Sequence, residues 1–363
     1  MTEFGMVMEP SPGYTARLAK RVEDMGFEVL LTPDTQNLCG DPYGQLALAA
    51  ANTTTLKIGT GVTNPYTRVA AVTACSMACL QIESGGRAVC GLGRGDSSAA
   101  HIGLRQGTTQ EVRDYAELVR SYIAGETVEI NQRTSTMRWI APGDVPAVPI
   151  DIACTGPKTI RMAADVADRV SFAVGSAPER IDWALGVLNE RLAETGRDRS
   201  EISVGAYLNL LCDPDEQRAL KLASTIAGMV AHFAGMKHSP VDHLPPQLKP
   251  LAVQLKTEYD MDGHNQATGS HMDLVDEAFV DWFAIAGPPQ KCIDRLGPLL
   301  EKGLDHVYVL GGSDTPHPHG EFVTGFVDQA EHFASAVMPS FLSLIHISEP
   351  TRHICLSRMP SSA

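Results

Sequence analysis

The 363-residue chain predicts an α/β fold, a (β/α)8 TIM barrel with a helical insertion between strands 7 and 8. Three observations carry that expectation. Eight short β-branched or apolar runs follow one another, helix-period segments separate them, and no low-complexity linker interrupts residues 1–341. Parallel strands joined by crossover helices close into a barrel; an open doubly wound sheet is the weaker alternative. About 150 residues per domain would suggest two domains, but α/β barrels run to 250 residues or more as one unit.

The runs are FGMVME (4–9), EVLLTP (28–33), LKIGTGV (56–62), RAVCGLG (87–93), VPIDIAC (148–154), RVSFAV (169–174), ISVGAYLNLLC (202–212) and HVYVLGG (306–312). Between the first two, YTARLAKRVEDMG sets Leu18, Val22 and Met25 on one helical face, and Gly26 follows as a stop. The strand-helix rhythm holds to residue 200. It breaks over 214–286, a mostly helical stretch rich in His and Met that is expected to lie over one end of the barrel. Residues 342–352, LSLIHISEPTR, resemble a translated sequencing-library adapter. The segment 342–363 is therefore read as an artefact tail, with the native C-terminus missing and its His and Cys residues excluded from any site.

Composition excludes several classes. Lys+Arg 29 against Asp+Glu 43 gives a formal charge of −14, which repels nucleic acid and anionic membrane. No apolar run approaches the roughly 18 residues of a membrane span, and the start MTEFGMVMEP lacks a signal-peptide pattern, so a cytoplasmic protein is expected. Eight scattered cysteines with no C-x-x-C pair argue against a disulfide framework, and Cys75 with Cys79 reads as core filler. The insertion's His232, His238, His243, His264 and His271 show neither H-x-x-x-H nor a Cys partner, so they read as structural or substrate-contacting, and no metal is expected. DMDGHN begins like a calcium loop but lacks the Glu at its twelfth position.

A parallel barrel builds its site from loops after the strands' C-terminal ends. Strand 1 ends in Glu9, strand 2 in Asp34-Thr35-Gln36, and strand 3 in Gly61-Val62-Thr63-Asn64-Pro65. Strand 4 ends in Gly93-Arg94-Gly95-Asp96-Ser97-Ser98 and strand 5 in Thr155-Gly156-Pro157-Lys158. In the last, a small polar residue and Gly precede Pro at a helix start, which suits an anion; an ordinary strand-to-helix turn has the same composition. In GLGRGDSS, Gly91, Gly93 and Gly95 let backbone approach a ligand, while Arg94 and two hydroxyls offer phosphate contacts. The spacing is G-x-G-x-G, not the dinucleotide G-x-G-x-x-G. Two anion-suited strand ends side by side suggest one phosphate-bearing cofactor.

IGTGVTNPYTR (58–68), GGRAVCGLGRGD (85–96), CTGPK (154–158) and AGPPQKCIDRL (286–296) resemble the bacterial luciferase-like superfamily, and within it the coenzyme F420-dependent branch that includes methylenetetrahydromethanopterin reductase. The resemblance covers most of residues 3–340. It implies a deazaflavin at the barrel mouth, with a non-prolyl cis peptide at Gly61-Val62 against the ring and the phosphate tail on 93–98 and 155–158. It further implies hydride transfer to or from a small organic substrate, and a homodimer. Thr35, Thr63 and Asn64 join the cofactor set, and His264 with His271 would line the substrate pocket. Such chemistry needs two planes in contact and an acid for the accompanying proton; the candidates are Glu9, Asp34 and Asp96, each of which could equally be a loop or cap carboxylate. Where some relatives carry Asp-His after strand 2, Asp34-Thr35 stands here, which favours reductase chemistry over alcohol oxidation. The alternatives are an FMN-dependent monooxygenase of the same fold and a non-catalytic flavin- or ligand-binding barrel.

Overall fold

A computed structural model describes residues 2–235, 244–263, 269–311 and 321–342. The first half of the chain alternates as the sequence predicts: β1 (Glu3–Val7), α1 (Thr15–Asp24), β2 (Val29–Thr32), α2 (Pro42–Asn52), β3 (Lys57–Thr60), α3 (Ala70–Glu83) and β4 (Ala88–Leu92). A short α4 (Ser97–Ala100) precedes α5 (Thr109–Ile123), whose start is fixed by a reciprocal capping box between Thr108 and Glu111. A hairpin of β5 (Val128–Ile130) and β6 (Arg133–Ser135) follows, turned by Asn131 and Gln132 at φ 50° and 63°. The rhythm resumes with β7 (Ile150–Cys154), α6 (Pro157–Val166), β8 (Arg169–Phe172), α7 (Pro178–Thr195) and β9 (Ser203–Cys212).

The stretch after β9 is helical: α8 (Glu216–Gly235), α9 (Lys249–Glu258) and α10 (Glu277–Phe283), with a 3-10 turn at Ser270–Leu274. Then come β10 (Ile285–Gly287), α11 (Pro289–Leu300), β11 (His306–Leu310), α12 (Glu321–Ala336) and α13 (Pro339–Leu342). Residues 343–363 of the expected artefact tail lie outside the described residues.

Eight parallel strands close on themselves in the order β1-β2-β3-β4-β7-β8-β9-β11, with Glu3 opposite His306 where β11 returns to β1. The fold is a TIM barrel. The small β10 extends the end of β9, pairing Ile285 with Leu210. Strand alternation sorts the core into two layers. Met6, Leu30, Ile58, Cys90, Ile152 and Val170 face the helices. Val29, Leu31, Val89, Tyr207 and Tyr308 fill the barrel, with Val7, Ala153, Ala173 and Leu310 packed against them.

Below that plug the interior is polar, and side chains pair with one another there. Tyr308 Oη donates to Asp151 Oδ2 at 2.7 Å, Ser171 Oγ to Asp151 Oδ1 at 2.6 Å, and His306 lies between Ser171 and Ser203 at 2.8 and 2.9 Å. Burial pushes the Asp151 carboxyl up, against the opposing pull of Arg169. Outside the barrel, Glu23 of α1 receives the backbone N–H groups of Thr54, Thr55 and Leu56 on Oε1, at 2.7, 2.7 and 3.1 Å. Burial works to raise its carboxyl, yet these donors bring it down to about 2. No helix among the described residues is long and apolar enough to cross a membrane.

Candidate active site

The inward residues nearest the strands' C-terminal ends are small: Gly61, Ala153 and Ala173. Space therefore opens above the plug. It forms a cavity of about 220 Å³, floored by Tyr207 and Leu310 and walled by Pro33, Thr35, Val62, Thr155 and the loop from Gly93 to Ser98. The remaining wall comes from the insertion, through Met229, Val230 and Phe233 of α8. A second cavity of about 150 Å³ adjoins it, lined by Glu9, Leu38, Cys39, Ile226 and Phe326. Pro33, Thr35, Gly61, Ser97, Met229 and Leu310 belong to both. Burial, with Glu9 and Asp34 nearby, pushes the Cys39 thiol up to about 12, so it holds its proton at neutral pH.

The Gly61-Val62 peptide is cis, at the wall between the two spaces. Its neighbour Gly93 is required by close approach: a Cβ there would stand 2.5 Å from Val62 Cγ2. Gly95 adopts φ +72°, and a Cβ would meet Asn64 Cγ at 2.8 Å. Asn64 itself, 1% exposed, ties the two strand ends together. Its Nδ2 donates to Ser98 Oγ and Thr67 Oγ1, both at 3.0 Å, and its Oδ1 accepts from the N–H groups of Tyr66 and Thr67. Arg94 is held by a 2.6 Å bond from Nε to the Gly107 carbonyl. Gly156 at the N-cap of α6 supplies no side-chain cap, which leaves the helix's positive end beside Thr155 open to an anion.

The luciferase-like monooxygenase family matches residues 2–306 of the sequence. The chain belongs to that family. It is 31% identical over 316 residues to 5,10-methylenetetrahydromethanopterin reductase of Methanolobus tindarius, across 84% of this chain and 92% of the relative. It is 28% identical over 271 residues to F420-dependent glucose-6-phosphate dehydrogenase of Beutenbergia cavernae, across 72% and 74%. The structure of the coenzyme F420 dependent tetrahydromethanopterin reductase from Methanopyrus kandleri superposes with a TM-score of 0.73 at 27% identity, covering 94% of this chain and 99% of that one.

In this luciferase-like barrel the residues singled out from the sequence fall into three groups. Thr35, Gly61, Val62, Gly93, Arg94, Gly95, Asp96, Ser97, Ser98 and Thr155 line the larger cavity, and Glu9 lines the adjoining one. Thr63, Asn64, Gly156, Pro157 and Lys158 stand behind or beside it, with Lys158 exposed on the first turn of α6. Asp34 is turned away from both cavities. It is 2% exposed, and its Oδ2 accepts from Thr63 Oγ1 at 2.6 Å and Arg68 Nε at 3.0 Å. Arg68 also bonds Asp41 and lies 4.2 Å over the Tyr43 ring, so it too is committed locally. The pair makes Asp34 a brace for the strand 3 bulge.

Sequence reasoning missed Gln106, Tyr207, Leu310, Met229, Val230 and Phe233. Gln106 donates through Nε2 to Asp96 Oδ1. Its signal was absent, because a glutamine ten residues beyond Asp96, well past the strand end, has no local pattern. His238, His243, His264, His317 and His319 lie outside the described residues. His232 and His271 are described, and among the described residues no group of three His, Cys, Asp or Glu side chains can hold a metal.

Proposed function

We propose that the chain binds coenzyme F420 and catalyses hydride transfer between the deazaflavin and a small organic substrate, as a methylenetetrahydromethanopterin reductase-like enzyme. The observation that supports it most is the pair of adjoining cavities that share the Gly61 wall, one edged by the glycine and hydroxyl loop and the other carrying a carboxylate. The cofactor fits this cradle: Gly93 and Gly95 let the loop backbone lie close against Val62 and Asn64 at the cavity edge, and its polar edge lies beside the uncapped start of α6. Gly61 and Val62 would hold the ring, and Arg94, Ser97, Ser98, Thr155 and the first turn of α6 would hold the phosphate-bearing tail. Bound there, the cofactor supplies a carbon that gives or accepts hydride.

The chain's own residues do the rest. Apolar side chains from the plug and from α8 exclude water from the larger cavity. Glu9, at the second cavity, holds or delivers the proton that accompanies reduction, at its carboxyl oxygen. Asp96 is the second carboxylate at the cavity wall. Titration of the protein with F420 and, separately, with FMN, followed by turnover of reduced F420 with 5,10-methylenetetrahydromethanopterin, tests the reading. Micromolar F420 binding with turnover that Glu9→Gln lowers at least about 100-fold at unchanged F420 affinity supports it. Tight FMN binding without F420 transfers the protein to the monooxygenases, and binding of neither leaves a ligand-binding barrel.

The same reading includes a homodimer. Helices α2 and α3 pack side by side, and no charged residue occurs in α2 or in α3 before Glu83. Leu48, Val69, Val72 and Ile82 stand exposed there, at 49%, 65%, 47% and 50%. On a chain of charge −14, this face lets two copies meet without like-charge contact.

A further inference from the structure

We infer that His232 is a positioning residue for the Asp96 carboxylate, so that the insertion, and not the barrel alone, completes the site. The inference rests on the reading above and gives Asp96, the second carboxylate at the cavity wall, a share in that reaction. Asp96 is contacted from two sides. On the barrel side Gln106 donates to Oδ1, and on the insertion side His232 Nε2 stands 3.5 Å from Oδ2. His232 belongs to the stretch of α8 whose Met229, Val230 and Phe233 form the cavity wall, so ring and wall arrive on one rigid element.

The imidazole is oriented by stacking. Its ring lies 4.2 Å from that of Tyr259 at an interplanar angle of 19°, and Tyr259 lies 4.2 Å from His271 at 32°. His271 is 1% exposed, and neither of its ring nitrogens has a hydrogen-bond partner among the described residues. The stack thus spans from a buried anchor in the insertion to the carboxylate at the cavity. His232 Nδ1 is likewise buried with no partner among the described residues. An N–H facing a carboxylate oxygen is attracted to it, whereas a bare ring-nitrogen lone pair in the same place is repelled. The ring proton therefore sits on Nε2, the nitrogen that faces Asp96. A phenylalanine would stack on Tyr259 without leaving any nitrogen unpaired. The polar return for having an imidazole here is the contact with the carboxylate.

The test compares His232→Phe, which keeps a stacking ring and removes the donor, with His232→Gln, whose amide replaces the Nε2 donor. Each is measured for F420 affinity by fluorescence, for melting temperature, and for kcat and KM with reduced F420 and 5,10-methylenetetrahydromethanopterin. His232→Phe is expected to lower kcat about tenfold with F420 affinity and melting temperature held, and His232→Gln to recover most of that loss. Combined with Asp96→Asn, His232→Phe should cost nothing further, since a residue acting through another is not additive with it. In the cofactor-free protein, nitrogen-15 spectra of the imidazole should show Nε2–H in the wild type and lose that preference in Asp96→Asn. Loss in Asp96→Asn with wild-type kcat in His232→Phe overturns the inference and leaves the function standing. So do equal losses in the Phe and Gln variants with a fallen melting temperature, or full multiplication with Asp96→Asn. Unchanged turnover in Asp96→Asn removes Asp96 from the reaction, and this inference with it.

Discussion

Replacing Asp34 with Asn separates a brace from an acid. The carboxylate is 3% exposed and takes both Thr63 Oγ1 and Arg68 Nε on one oxygen, so the isosteric amide keeps the shape and an acceptor but loses the charge. A fully buried pair broken on one side costs about 3 to 5 kcal/mol, but Arg68 is 24% exposed and keeps Asp41, which brings the expected cost down to about 2 kcal/mol. For a barrel of this length that lowers the melting temperature by about 3 °C. Because the Asp34 backbone N–H also donates to the Val62 carbonyl of the bulge, at 3.4 Å, F420 affinity should weaken by about threefold while kcat stays within about threefold. Scanning fluorimetry and steady-state rates on the same preparation decide it. A kcat loss of about 100-fold at unchanged melting temperature would refute the reasoning and restore Asp34 to proton transfer.

Gly93→Ala places a methyl 2.5 Å from Val62 Cγ2, and should weaken F420 binding at least about tenfold with a smaller stability loss, read by titration and melting. The Glu23 carboxyl, held down to about 2 against an unfolded value near 4.3, stabilises the fold fully above that unfolded value. The melting-temperature gap between wild type and Glu23→Gln should therefore shrink as pH falls from about 5 towards 2; a constant gap would contradict it. Val72→Glu puts a charge in the middle of the neutral α2–α3 face, and light scattering should find a monomer that keeps its fold.

The barrel was legible because its strands are dense β-branched runs such as VLLT and HVYVL, buried on both faces, which no amphipathic helix imitates. The hairpin at 128–135 was not, since Asn131-Gln132 lacks the glycine that marks such turns. The three residues of β10 were too short to show a period. Within the site, Gly93, Gly95, Ser97 and Thr155 were readable as backbone-access and hydroxyl positions at strand ends. The apolar lining was not: Ala153, Ala173 and Leu310 look like any strand residue until the barrel's inward parity is known. The partner of Asp34 was not readable either, because Arg68 lies 34 residues away and the pairing is made by the fold alone.

Among the described residues, Met229 is the one side chain from α8 that faces both chambers. An unbranched thioether bends to several shapes at little cost, so it acts as a movable partition. Trimming it to alanine joins the rooms, and widening it to phenylalanine narrows each, with every barrel loop left untouched. The size of each chamber is thus set in part from the insertion, at a side chain outside the barrel's strands and strand-end loops.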